Sequence, residues 1–381
     1  MEGIIPSCEG EGWVFRIISK MHILIVRLSA IGDVIHTLPA LNAIRAYFPD
    51  AQITWLVEEA AAGLVEGHQA LNRVLISKRT RWLKGLTSRS CWQSLKAIAT
   101  FMQELRDTRY DLVIAFQTLL KTGVLLALVR GQRKVGFGKG MEHAEGSYLF
   151  LNARMPPVDM NHHAIQRNLM LLEAIGIPSH RITYHLPVSE RDRQVARALL
   201  GEYRINPSEF LVAINPFTRW ETKRWSNLKF AILADQLIER DGAQIIFTGS
   251  RAARPMVEEI IALMQRTPVN LAGETTLKIL AALYEQADVL IAPDTGPMHL
   301  AVAIATPVIA LFGPTAPWRT GPFGEGHQTI RTNVACSPCF KRKCSTKACM
   351  EQIQVQDVLD GIARLEVASR VKNRQICPVG A

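Results

Sequence analysis

Short apolar runs alternate with longer amphipathic stretches along this chain, and the alternation runs through twice. Runs at 22–26, 52–57, 73–76, 111–115 and 134–137 read as strands, and stretches at 33–47, 93–107, 119–129 and 162–175 read as helices. Strands interleaved with helices form a parallel sheet covered on both faces. The polar stretch Pro187-Val-Ser-Glu-Arg-Asp-Arg193 then breaks the pattern and reads as a domain junction. Beyond it, strands are expected at 210–214, 243–248, 269–271, 288–292 and 307–311, and helices at 226–240, 253–265, 276–286 and 297–304. A chain of 381 residues also exceeds what one core usually holds. The expectation is an α/β chain of two Rossmann-like domains, 21–187 and 188–350, facing each other across a cleft. Ligands in such sheets bind at the carboxyl ends of the strands. The amphipathic segment within 351–371 reads as a closing helix.

Lysine and arginine total 44 against 34 aspartate and glutamate, a formal charge of +10. That balance suits an anionic partner: nucleic acid, an acidic membrane surface or a phosphorylated ligand. No apolar run reaches the roughly 18–20 residues of a membrane span. Glu2, Glu9 and Glu11 stand where a secretory signal carries basic residues, so a cytoplasmic location is expected. Met21 directly precedes the first strand. Residues 1–20 therefore read as a dispensable, disordered extension, with Met21 an alternative start to Met1.

Two strand-to-helix turns carry the chemistry. In Ala292-Pro-Asp294-Thr295-Gly296-Pro297-Met-His299-Leu300 a buried strand feeds a helix N-terminus, where free N–H groups and the helix dipole favour phosphate. Gly296 permits close backbone approach, and Pro297 suits the first turn. Because proline lacks an N–H, the donors there are expected from Gly296 and from Met298 onward. His299 reads equally as a ligand group or as a buried core histidine. In Arg27-Leu-Ser-Ala-Ile-Gly-Asp33-Val-Ile-His36, Asp33 stands at the start of a helix, either capping it or acting as a general base. No Gly-x-Gly-x-x-Gly fingerprint is present, which counts against a dinucleotide oxidoreductase.

Further residues cluster at strand ends. Asn215-Pro-Phe-Thr218-Arg-Trp-Glu-Thr-Lys223-Arg224 offers a hydroxyl and cations suited to phosphate, or a solvated basic loop. Phe247-Thr-Gly249-Ser250 and Phe312-Gly-Pro-Thr315 end their strands in small-residue turns. Lys78-Arg-Thr-Arg81-Trp-Leu-Lys84-Gly-Leu-Thr-Ser-Arg89 holds five basic residues and no acidic one, either a solvated loop or a clamp for a polyanionic acceptor. Gln117 and Lys121 follow the 111–115 strand toward the same edge. Cys336, Cys339, Cys344 and Cys349 crowd one short segment; their spacing permits a structural zinc, with reduced or paired thiols as the other readings.

Taken together, residues 21–370 resemble the glycosyltransferase family 9 heptosyltransferases of lipopolysaccharide core synthesis. Ile31-Gly-Asp-Val-Ile-His-Thr-Leu-Pro-Ala-Leu41, Asp294-Thr-Gly-Pro-Met-His-Leu300 and Phe312-Gly-Pro-Thr315 carry the resemblance. Trp55-Leu-Val-Glu-Glu59 and Arg81-Trp-Leu-Lys84 look more like heptosyltransferase I. The Cys336–Cys349 segment looks closer to heptosyltransferase II. The resemblance implies a GT-B fold and inverting, metal-independent transfer from an ADP-heptose, with no cofactor needed for catalysis. It implies Asp33 as catalytic base and Thr218, Lys223, Asp294, Thr295, Gly296 and His299 around the donor. Arg81, Lys84, Gln117 and Lys121 would meet the acceptor, a Kdo-bearing lipid A or its heptosylated form. The enzyme would be peripheral at the inner face of the inner membrane, its charge attracted to acidic lipid. A different sugar donor remains a near alternative. A basic nucleic-acid-binding protein is a distant one, disfavoured because no recognised module is visible and the basic residues are scattered.

Overall fold

The computed structural model describes residues 21–365 apart from 88, 89, 143, 180 and 207. The proposed extension at 1–20, Cys8, Cys377 and the tail of the closing helix past 365 lie outside the described residues. The chain divides between Pro187 and Val188 into two compact units.

The first unit holds a parallel six-stranded sheet. Its strands are β1 (His22–Val26), β2 (Gln52–Glu58), β3 (Arg73–Ser77), β4 (Tyr110–Ala115), β5 (Gly131–Phe137) and β6 (Ala153–Met155), in the order β3-β2-β1-β4-β5-β6. The second unit repeats this. Its strands are β7 (Leu211–Ile214), β8 (Gln244–Phe247), β9 (Val269–Asn270), β10 (Val289–Pro293), β11 (Val308–Leu311) and β12 (His327–Ile330), in the order β12-β11-β10-β7-β8-β9. Both are doubly wound Rossmann orders, and each reverses direction between its first and fourth strands. At those points Val26 lies beside Ala115, and Ile214 beside Ile291. The central strands are buried on both faces, so they are apolar without alternation: His22–Val26 reads HILIV and Val289–Pro293 reads VLIAP. Each unit has its own core, one around Leu24, Tyr110 and Val113, the other around Ile214, Phe230, Phe247 and Leu311.

Four local features add to or change the sequence reading. The helix expected at 33–47 is two helices, Ile31–Ile35 and Leu38–Tyr47. Pro39 has no N–H to give the Ile35 carbonyl, and the Thr37 hydroxyl donates to the Asp33 carbonyl at 2.8 Å, which closes the first helix. The basic stretch after β3 is helical over Arg79–Leu86, with Trp82 its buried residue. The polar junction residues open a helix, Glu190–Glu202. Ser189 and Asp192 cap it reciprocally, and Arg193 anchors it to Glu285 through two bonds of 2.7 and 2.9 Å. The edge strands β6 and β12 were not expected, one being three residues long and the other polar.

Candidate functional site

In the first unit the residues after β1 form a tight turn that opens the helix Ile31–Ile35, placing Asp33 in its third position rather than its first. One Asp33 oxygen lies 2.8 Å from the Arg27 guanidinium, and the other accepts the Ala30 N–H at 2.9 Å. The Asp33 side chain is 41% exposed, so the carboxylate is both fixed and reachable. Arg27 is itself held by the Phe116 carbonyl. Gln117 is buried: its amide oxygen accepts from Leu28 N–H and Thr122 Oγ1, both at 3.1 Å, and its Nε2 donates to the Ser29 carbonyl at 3.0 Å. Gln117 thus staples the β1 turn to the β4 edge. Lys121 donates to Ser29 Oγ at 2.7 Å and to Glu58 at 2.9 Å. Arg79 and Arg81 reach Glu58 and Glu59 at 3.6 and 3.7 Å, while Lys84 stands exposed on the same short helix. Glu58 was missed as a site residue. It ends β2 at the carboxyl edge, a position that could have singled it out.

The second unit gathers its residues around Asp294, which is only 7% exposed. One Asp294 oxygen accepts from Lys223 Nζ at 2.6 Å and from Thr315 Oγ1 at 2.7 Å. The other lies 4.0 Å from Nε2 of the buried His299. Lys223 also lies over the Trp220 ring at 4.5 Å. These bonds are short and charge-assisted, and the carboxylate aims a cation and a hydroxyl from two different loops. Thr295 is the extended residue before the helix Gly296–Ala303, whose second position is Pro297. The Met298 N–H turns back to the Thr295 carbonyl at 3.2 Å, so it does not point outward as expected. Thr218 is buried, and its carbonyl accepts from Arg224 at 3.2 Å. Behind β7, Asn215, Thr248 and the fully buried Tyr284 form a hydrogen-bonded group, with the Thr248 and Tyr284 hydroxyls 2.8 Å apart.

The cysteine segment braces this constellation. Ser337 Oγ donates to the Gly313 carbonyl at 2.6 Å, and the N–H groups of Cys339 and Phe340 donate to the Pro314 carbonyl at 3.0 and 2.8 Å. Thr222 Oγ1 donates to the Lys341 carbonyl at 2.9 Å, and Arg342 lies over Trp220. No disulfide joins the four cysteines. Burial and the neighbouring thiols push Cys349 up, while the Lys347 N–H lowers Cys344. Among the described residues, no three histidine, cysteine, aspartate or glutamate side chains are arranged to hold a metal ion.

Residues 98–350 match the family model of glycosyltransferase family 9 (heptosyltransferase). The chain is 32% identical to a lipopolysaccharide heptosyltransferase 1 of Pseudomonas aeruginosa over 89% of this chain and 91% of that protein. It is 29% identical to the lipopolysaccharide core heptosyltransferase OpsX of Haemophilus influenzae over 90% of this chain and 96% of the other. Among solved structures it resembles the E. coli heptosyltransferase WaaC with ADP, with a TM-score of 0.71 at 24% identity, covering 91% of this chain and all of that one. The shared architecture is the GT-B fold of two Rossmann-like units. The chain therefore belongs to glycosyltransferase family 9.

Proposed function

We propose that this enzyme transfers a heptose from ADP-L-glycero-D-manno-heptose to the Kdo-lipid A inner core in lipopolysaccharide biosynthesis. The observation that carries the reading is the buried Asp294 gripping Lys223 and Thr315 beside the N-terminus of the Gly296–Ala303 helix. A cation held this way, next to a helix N-terminus, suits the diphosphate of a nucleotide sugar. It supplies the positive potential that a divalent ion provides in other transferases, so transfer is read as metal-independent. The relatives named heptosyltransferase 1 support the first heptose over the second.

Asp33 is read as the base. A carboxylate offers about four lone-pair sites. Arg27 and the Ala30 N–H occupy two, which leaves room for an acceptor hydroxyl. That oxygen attacks the anomeric carbon as the bond to the diphosphate breaks. Its proton passes to Asp33, and ADP leaves with the bonding electron pair beside Lys223. Arg81, Lys84 and Lys121 are the groups offered to an anionic acceptor, and the enzyme is read as peripheral at the inner face of the inner membrane. The test is ADP release from ADP-heptose with Kdo2-lipid A, with and without EDTA. Turnover insensitive to EDTA is expected. No turnover on Kdo2-lipid A or on its monoheptosylated form overturns the acceptor.

A further inference from the structure

Trp92 is 84% exposed, Leu83 52% and Leu95 46%. All three stand on the helical pair Arg79–Leu86 and Cys91–Arg106 of the first unit. Their exposure is not a sign of loose packing. The inner face of the pair is filled, with the Trp82 and Phe101 rings 5.0 Å apart and Ser94, Phe101 and Leu105 buried. At Gly85 a Cβ would meet Ser94 Oγ at 2.0 Å, so the two helices approach closely there. On the longer helix Trp92, Leu95, Lys96 and Ala99 follow helical spacing along the opposite, solvent face.

The helical pair is also basic. The sequence from Lys78 to Gln103 holds no aspartate or glutamate. Glu58 and Glu59 answer Arg79 and Arg81 from the adjoining turn, while Lys78, Lys84 and Lys96 are exposed. An indole beside aliphatic side chains and lysines matches the boundary between lipid headgroups and acyl chains, where indole sits at headgroup depth and cations meet phosphate. A second copy of the chain fits worse, because a two-fold contact would set lysines against lysines.

We propose that this helical pair docks the protein on an anionic lipid bilayer, with Trp92, Leu83 and Leu95 entering the headgroup boundary and Lys96 meeting lipid phosphates. The pair adjoins the first unit's site through Arg79, Glu58, Lys121 and Ser29. Docking there brings a lipid-borne acceptor to that site. This purpose rests on the function proposed above; the docking itself is measured without any acceptor.

The experiment is co-sedimentation with vesicles of phosphatidylcholine alone or mixed with phosphatidylglycerol, both lacking saccharide lipids. The wild type is expected on the phosphatidylglycerol vesicles and released by high salt. Trp92→Ser is expected to lower partition about tenfold, and Lys96→Gln about fivefold. Both variants should keep the wild-type melting temperature, and Trp92→Ser should keep wild-type turnover on a deacylated, water-soluble acceptor. The proposal is overturned by a wild type that ignores phosphatidylglycerol or binds both vesicles equally, or by variants that bind like wild type. It is equally overturned if light scattering finds a dimer that Trp92→Ser dissolves while vesicles go unbound. Vesicle binding that tracks the variants in a protein without transferase turnover would leave docking standing and remove the transferase reading.

Discussion

Asp33→Asn separates the two roles open to this carboxylate. Asparagine keeps the size and one oxygen for the Ala30 N–H, now at 2.9 Å. The loss is the charge facing Arg27 at 2.8 Å, on a side chain 41% exposed. Solvent screens such a pair, so its removal costs about 0.2–1 kcal/mol, a shift of roughly 2–4 °C at most in the melting of a unit this size. The fold should therefore survive. If Asp33 takes the acceptor proton, kcat should fall on the order of 10²–10⁴-fold. The KM for ADP-heptose should hold, because the donor groups belong to the other unit. Steady-state ADP release with Kdo2-lipid A gives both constants, and a thermal melt checks folding. A folded variant whose kcat stays within about threefold of wild type refutes the base and leaves Asp33 as a cap.

Three further outcomes follow from local geometry. Thr315→Val removes the hydroxyl that donates to Asp294 at 2.7 Å; it should raise the KM for ADP-heptose several-fold, cost about 1–2 kcal/mol of stability and be rescued by Thr315→Ser. Gly313→Ala would put a methyl 2.4 Å from Met350 Sδ and 3.1 Å from Cys349 Sγ, so a loss of about 1–3 kcal/mol is expected by chemical denaturation, and an unchanged midpoint would contradict the tight fit. Burial, and then the neighbouring His185, lower His68 from 6.5 to about 4, while its Nδ1 accepts the Ala70 N–H at 3.1 Å. The unfolded chain then takes up a proton that the folded one refuses. Stability should decline from pH 6.5 down to about 4 by up to about 3 kcal/mol and flatten below, and His68→Phe should remove that share of the acid sensitivity in a pH series of melts.

The central strands were legible because strands buried on both faces must be continuously apolar, and 23–26 and Val289–Pro293 are. The turns after them were legible too, since Gly32, Gly296 and Pro297 carry backbone requirements in their own chemistry. What could not be read was which side chain holds which. Lys223 and Asp294 are 71 positions apart, Lys121 and Glu58 are 63, and Gln117 and Leu28 are 89. Their pairing exists only once strand order brings the loops together. Gln117 shows the consequence: its position suggested an acceptor contact, yet both ends of its amide bind the β1 turn. The Arg79–Leu86 helix was hidden for another reason. With Trp82 its only buried residue, it has no apolar stripe for periodicity to detect.

The two units share one topology, and their carboxylates at matching strand ends sit in different environments. Both Asp33 and Asp294 follow a strand beside the point where strand order reverses. Asp33 sits in the first turn of the helix Ile31–Ile35 and meets one arginine and one amide while much of it stays open to solvent. An accessible carboxylate with unfilled lone pairs is suited to receive a proton. Asp294 is enclosed, and one of its oxygens already accepts an ammonium and a hydroxyl. Held between these partners, it is suited to fix the position of the Lys223 cation. In the function proposed above, burial and partner number, more than residue type, divide the base from the positioning group. Exchanging the environments, for instance by losing Thr315 or Lys223, should disable the second unit's role without creating a second base.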